Sequence, residues 1–240
     1  MRGWQRQWLC IAASAVCLIT WTSPAVADGS AIGQLYAPYV QPLERELELF
    51  WKDETRDDGG IPGNTLSQLG FGTSLFEGVY TEINLSEIDT PQATTNQLEL
   101  EVIWQLTEQG EYDSDWGLLL EAETNLDLDI NEFSIGVLNQ KDWDKISLIT
   151  NLVVSYEWGE DVTNELESRL GLQLRYRLKP EFEPMIEVFQ GPYTTAIGPG
   201  AAGIIRLSPG QQLRWGASVL KGLNSELDYA VKLELEYEFF

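Results

Sequence analysis

The chain has no histidine anywhere in its 240 residues. Histidine is the usual side chain whose proton affinity sits near neutrality, so the common Ser–His and Cys–His nucleophile arrangements are excluded. Cysteine is almost as scarce: the 2 present, Cys10 and Cys17, both lie close to the N-terminus. Positive charge is sparse as well, with Lys and Arg totalling 15 against 38 Asp and Glu, a formal net charge of −23. Such a balance excludes general affinity for nucleic acid or anionic membrane surfaces and makes cations the natural counter-species. Beyond the N-terminal leader, no stretch is apolar for the roughly 18–20 residues that a spanning helix needs.

The leader itself is specific. Arg2 and Arg6 precede an apolar run from Trp8 to Trp21, then Pro24 and the small residues of Ala25-Val26-Ala27. These features describe a secretory signal peptide over residues 1–27, cleaved between Ala27 and Asp28. The apolar run is too short to serve as a membrane anchor. Ser14 and Val16 stand where a lipoprotein signal would place a Leu-like and a small residue ahead of Cys17, so no lipid anchor is expected. Export therefore leaves a chain without thiols, and with them go disulfides and cysteine metal ligands. Cleavage also removes two Arg and no acid, which makes the remaining chain still more acidic.

What the exported chain does have is apolar residues spaced by two, the signature of strands with one oily and one polar face. Leu47, Leu49 and Trp51 alternate with Glu46, Glu48 and Lys52, and Leu69 and Phe71 with Gln68, Gly70 and Gly72. Ile83 and Leu85 oppose Tyr80, Glu82 and Asn84, while Leu98, Leu100, Val102 and Trp104 oppose Glu99 and Glu101. The pattern continues through Leu118 and Leu120 against Glu121 and Glu123, Leu166 to Tyr176 against Glu167, Arg169 and Arg175, and Leu213 to Val219 against Arg214. It closes with Tyr229 to Phe239 against Lys232, Glu234, Glu236 and Glu238. About twelve such segments are expected, with residues 28–42 as an N-terminal periplasmic lead-in and residues 43–240 as the barrel.

Three features favour a transmembrane antiparallel up-and-down β-barrel in a Gram-negative outer membrane over a soluble sandwich. The polar face is too densely charged for a soluble interior. Trp51, Trp104, Trp116, Tyr156, Tyr176, Tyr229 and Tyr237 sit near strand ends in the oily phase, as interfacial girdles do. The tail from Val231 to Phe240 is similar to the terminal strand through which the barrel-assembly machinery recognises its clients, with Phe240 one residue beyond the aromatic phase. The stretches Trp104–Tyr112, Asp115–Glu121 and Tyr156–Asp161, with Pro38-Tyr39-Val40, resemble a group of small proteobacterial outer-membrane proteins of porin-like type. That resemblance implies fold and location and carries over no functional residue.

With no histidine, an enzyme is not expected, nor is any cofactor or metal. Carboxylate pairs such as Glu99/Glu101 and Glu121/Glu123 share a face simply because they are two residues apart on a strand. The Asp-rich segment Asp53, Glu54, Asp57 and Asp58 matches no defined calcium loop and reads as a solvated outer loop near lipopolysaccharide. The inward face remains. In a closed twelve-strand ring, an acidic wall of Glu99, Glu101, Glu121 and Glu123 faces a basic wall of Arg169, Arg175, Arg206 and Arg214. The small residues Gly198, Gly200, Ala202, Gly216 and Ser218 are expected to leave lumen space on the basic side. A narrow channel for a small polar or cationic solute follows from that arrangement. The alternative is a plugged structural or adhesion barrel whose charges pair across the interior.

Overall fold

A computed structural model of the chain describes residues 31–55, 63–224 and 227–240. The predicted signal peptide with its Ala27–Asp28 cleavage point lies outside the described residues, as do Asp57 and Asp58. Twelve strands form: β1 (Arg45–Thr55), β2 (Thr65–Phe76), β3 (Val79–Asp89), β4 (Thr94–Gln105), β5 (Asp115–Asn125) and β6 (Asn131–Trp143), followed by β7 (Ile146–Trp158), β8 (Glu165–Tyr176), β9 (Glu183–Gln190), β10 (Thr195–Ser208), β11 (Gln211–Gly222) and β12 (Tyr229–Phe239). Each pairs antiparallel with its sequence neighbours, and β1 pairs with β12 from Arg45↔Phe239 to Thr55↔Tyr229, so the sheet closes on itself. Closure removes every free edge, which is what allows a sheet to sit in lipid.

The faces follow the alternation in the sequence. Leu47, Leu49, Leu69, Phe71, Ile83, Leu100, Ile135, Leu152 and Leu235 all stand exposed on the outside, and Glu46, Glu48, Glu82, Glu101, Glu187 and Lys232 are buried inside. A polar interior under a continuous apolar exterior is the inverse of a soluble barrel and matches hydrocarbon as the outer solvent. Aromatics ring both rims: Tyr156, Trp158 and Tyr229 at one, Trp104, Trp116, Trp143 and Tyr176 at the other. Tyr156 stacks on Trp158, and Tyr237 on Phe239, each at 5.8 Å between ring centroids. Pro184, a poor strand residue, lies just past the last β8–β9 pair at Arg175↔Met185, where its missing N–H interrupts no ladder on that side.

The two rims differ. Connectors 77–78, 144–145 and 209–210 are tight turns at the rim that also holds the start of β1 and the end of β12. This rim is the turn end; the opposite one, with connectors such as 159–164, is the loop end. The longer connector 106–114 lies at the turn end and folds back through Gly110 N donating to Asp115 Oδ1 at 3.0 Å.

The N-terminal segment departs from expectation. Residues 31–42 do not lead in from the periplasmic side but run through the barrel interior, from the loop end to the turn end. Ile32 is buried among Phe189, Ala196, Leu220, Leu227 and Ala230 near the loop end. Val40 packs with Tyr80, Ile103, Leu119 and Leu138 nearer the turn end. The chain then reverses into β1 through a turn closed by Glu44 N donating to Gln41 O at 3.3 Å, with Leu43 at φ 66°. That left-handed value costs a non-glycine residue on the order of 1 kcal/mol, offset here by the contacts of the segment it feeds. The physical reason for the correction is satisfaction of buried polar groups. The segment has no partner strand, so its backbone can be buried only where lumen side chains meet it.

Candidate functional site

Among the described residues, buried polar chemistry is concentrated in the lumen, and the threaded segment shapes it. Lys52 Nζ donates to Ile32 O at 2.9 Å and Lys232 Nζ to Gly33 O at 3.3 Å. Midway, Asn151 clamps Tyr36 on both sides, accepting from its N–H at 2.7 Å and donating to its carbonyl at 2.9 Å. Lower down, Val40 N donates to Gln105 Oε1 at 2.9 Å and the Tyr39 hydroxyl to Asp115 Oδ2 at 2.6 Å. Gln34 bonds Glu48 through its amide, and Ser74 bonds Gln41 O. The segment is thus held along its whole length by side chains from β1, β2, β4, β5, β7 and β12.

Above this segment a cavity of about 540 Å³ remains. Ala31–Tyr36 line it on one side, and Glu99, Glu121, Glu123, Glu132 and Arg169 on the other. Thr90, Gln92, Ala93 and Leu128, from loop-end connectors, also border it, which places its mouth at that rim. Its position is a second correction. The cavity is lined by the acidic side, and none of Gly198, Gly200, Ala202, Gly216 and Ser218 lines it. A Cβ added at Gly198 would overlap the Val219 carbonyl, and one at Gly200 would meet Met185 and Ser218. These glycines admit neighbouring backbone and side chains, and the apolar cluster around Ile32 and Phe189 fills what remains.

All four predicted acids, Glu99, Glu101, Glu121 and Glu123, face the lumen. The predicted basic residues do not form a wall against them. Arg169 reaches Glu121 at 3.5 Å and Glu132 at 3.6 Å, joining the acidic side. Arg175 lies 3.6 Å from Glu183 and bonds Gln173. Arg214 pairs with Glu236 at 3.8 Å and with Glu238 on the adjacent strand. Arg206 is exposed at the turn end of β10. A guanidinium on a long stem pays less desolvation beside a carboxylate than alone, so each interior Arg swings to its nearest acid.

Several lumen groups were visible only as members of a polar face. Buried Lys232 pairs with buried Glu187 at 2.9 Å, and Gln173 donates to the same Glu187 oxygen at 2.8 Å. On the other side, oxygens of Glu46, Glu48 and Glu82 come within 4.8 Å of one another, as do those of Glu99, Glu101 and Glu121. Among the described ion pairs, none reaches Glu46, Glu48, Glu82, Glu99 or Glu101. The signal for Glu46, Glu48 and Glu82 was the inward phase of β1 and β3, but their convergence depends on which strands lie side by side.

No protein-family model and no curated protein matches the chain. Solved structures do. An outer membrane channel from Pseudomonas putida F1 aligns with TM-score 0.60 and 12% identity, over 84% of this chain and 96% of that one. The translocator domain of the autotransporter NalP from Neisseria meningitidis aligns with TM-score 0.59 and 11% identity, over 84% and 89%. The KdgM porin in complex with disordered oligogalacturonate aligns with TM-score 0.53 and 8% identity, over 82% and 99%. The fold is that of outer-membrane β-barrels. At these identities the likeness concerns architecture, shared alike by porins, channels and a translocator domain.

Proposed function

We propose that this protein is an outer-membrane, porin-like barrel that admits a small cationic solute from the loop end and restricts its passage with its own N-terminal segment. The observation that carries the reading is the acid-lined cavity of about 540 Å³ whose floor is residues 31–36. Bacterial barrels have short periplasmic turns and longer outer loops, so the loop end faces outward and the cavity is an external vestibule. Carboxylates around a water-filled space select cations, because a lumen of intermediate dielectric neither dissipates nor forbids their field. Export by the signal peptide of residues 1–27, assembly through β12 and contact with lipopolysaccharide at the loop end belong to the same reading. Cleavage after Ala27 would leave the threaded segment joined covalently to the barrel through Leu43 alone, with the lumen hydrogen bonds holding the rest.

Planar-bilayer recording of the refolded chain tests this. The intact protein is expected to give small, cation-selective steps, and removal of residues 31–41 to raise conductance several-fold. Silence in both proteins would instead support a closed structural barrel, the reading favoured by the dense pairing of Lys232, Arg169 and Arg214.

A further inference from the structure

Strand β2 carries glycine at two successive inward positions, Gly70 and Gly72. Their registers are Gly70↔Glu48 and Gly72↔Glu46 on β1, and Gly70↔Asn84 and Gly72↔Glu82 on β3. A Cβ built at Gly70 would collide with Glu82 Oε1 and Asn84 Oδ1 together, and one at Gly72 with the Tyr80 hydroxyl. The missing side chains make a trough. Residues of β3 lean across it toward β1, and carboxylates two strands apart meet there: Glu46, Glu48 and Glu82, with oxygens within 4.8 Å of one another.

The trough is short of donors. The single proton of the Tyr80 hydroxyl lies against both Glu46 and Glu82, at 2.7 Å from Glu82 Oε2. Glu82 Oε1 is buried without a hydrogen-bond partner. A separate observation comes from Asn84, which carries no charge and is only 1% exposed. Its amide Nδ2 donates to Glu99 Oε1 at 3.3 Å, which turns its carbonyl Oδ1 back toward the trough, buried and also unpartnered. A neutral carbonyl oxygen left unsatisfied beside clustered carboxylates is the donor set of a hard cation.

We propose that Glu46, Glu48, Glu82 and Asn84 Oδ1 bind one Ca²⁺-sized divalent cation over Gly70 and Gly72. Ca²⁺ takes oxygens at about 2.3–2.6 Å, so ligands on opposite sides of it stand about 4.8 Å apart; around Mg²⁺, at about 2.0–2.1 Å, they close to about 4.2 Å. The three carboxylate oxygens lie within the larger span of one another, and an irregular set of side-chain oxygens suits Ca²⁺, whose coordination is flexible, better than Mg²⁺, which demands a near-ideal octahedron and keeps its waters. The ion would tie β1 to β3 across a strand that offers no side chain of its own, and would neutralise part of the acidic side that no Lys or Arg reaches. This assignment does not depend on whether the lumen conducts.

The test is ⁴⁵Ca²⁺ equilibrium dialysis on the full exported chain, refolded in detergent after chelator treatment, with barrel closure checked by heat-modifiable gel mobility. Saturable binding near one ion per chain is expected, with Mg²⁺ competing at least tenfold more weakly. Glu82→Gln and Gly70→Ala should each weaken it at least tenfold, the second by filling the trough without removing a ligand. Asn84→Ala should weaken it several-fold and serves as the reading if the other variants fail to close. No saturable binding at millimolar Ca²⁺ would overturn the site. So would binding left unchanged in every closed variant, which would place the ion elsewhere on the chain.

Discussion

The two sides of the lumen solve the problem of a polar interior in opposite ways. On the β8–β12 side, Lys232 and Gln173 both reach one oxygen of Glu187, and Ile32, Phe189, Ala196 and Leu220 form an apolar cluster. That side is filled, and its inward acids Glu183, Glu187, Glu234, Glu236 and Glu238 each reach a Lys or Arg. On the β1–β5 side, acids outnumber cations, glycines replace side chains at Gly70 and Gly72, and the cavity lies open above. The contrast teaches that buried charge is stabilised where its partner is a side chain of the same barrel. Where the partner is missing, the position is suited to something that enters from outside.

The strongest way to break the comparison is to strip the paired side of a partner. Lys232→Met leaves Glu187 as a buried carboxylate without its cation and is expected to destabilise the barrel by about 3–5 kcal/mol, read as a lowered midpoint of heat-modifiability. An unchanged midpoint would mean that this side is not held by its ion pair. Next in size is Asn151→Ala, which removes both hydrogen bonds to Tyr36 and leaves its buried N–H and C=O unpaired. A loss of about 1–3 kcal/mol is expected, with faster proteolysis of residues 31–42 and more frequent opening in bilayers. Protease resistance equal to the parent would show that the apolar contacts of Ile32 and Val40 alone hold the segment. The smallest effect sharpens the comparison without breaking it. Arg169→Gln withdraws the one guanidinium that reaches Glu121 and Glu132, so cation selectivity should rise while stability moves by roughly 1 kcal/mol or less. Reversal potentials in a salt gradient read the sign directly.

The strands were legible because alternation is local. Leu98, Leu100 and Trp104 against Glu99 and Glu101 announce a two-faced strand without reference to any other part of the chain. Count, closure and the inward direction of Glu121, Arg169 and Arg214 follow from the same rule. Phe189 and Met185 were equally readable, since they share the phase of Glu187, yet their apolar character masked them. The path of residues 31–42 was not legible. That stretch has no period, and its main clamp, Asn151, is 115 residues from Tyr36. Nor could the pairing of Arg169 with Glu121 be read, because it spans from β8 to β5 across the lumen.

By itself, then, the amino-acid order determined that this chain closes into a barrel with an apolar exterior and a charged interior, because each face is set by neighbours two residues apart. Only the tertiary structure decided where the interior's acids are paired, where they lie unpaired beside open space, and what runs through it. Those outcomes depend on which side chains from distant strands come within a few ångströms of each other, and on glycines whose meaning appears only once their neighbours lean over them.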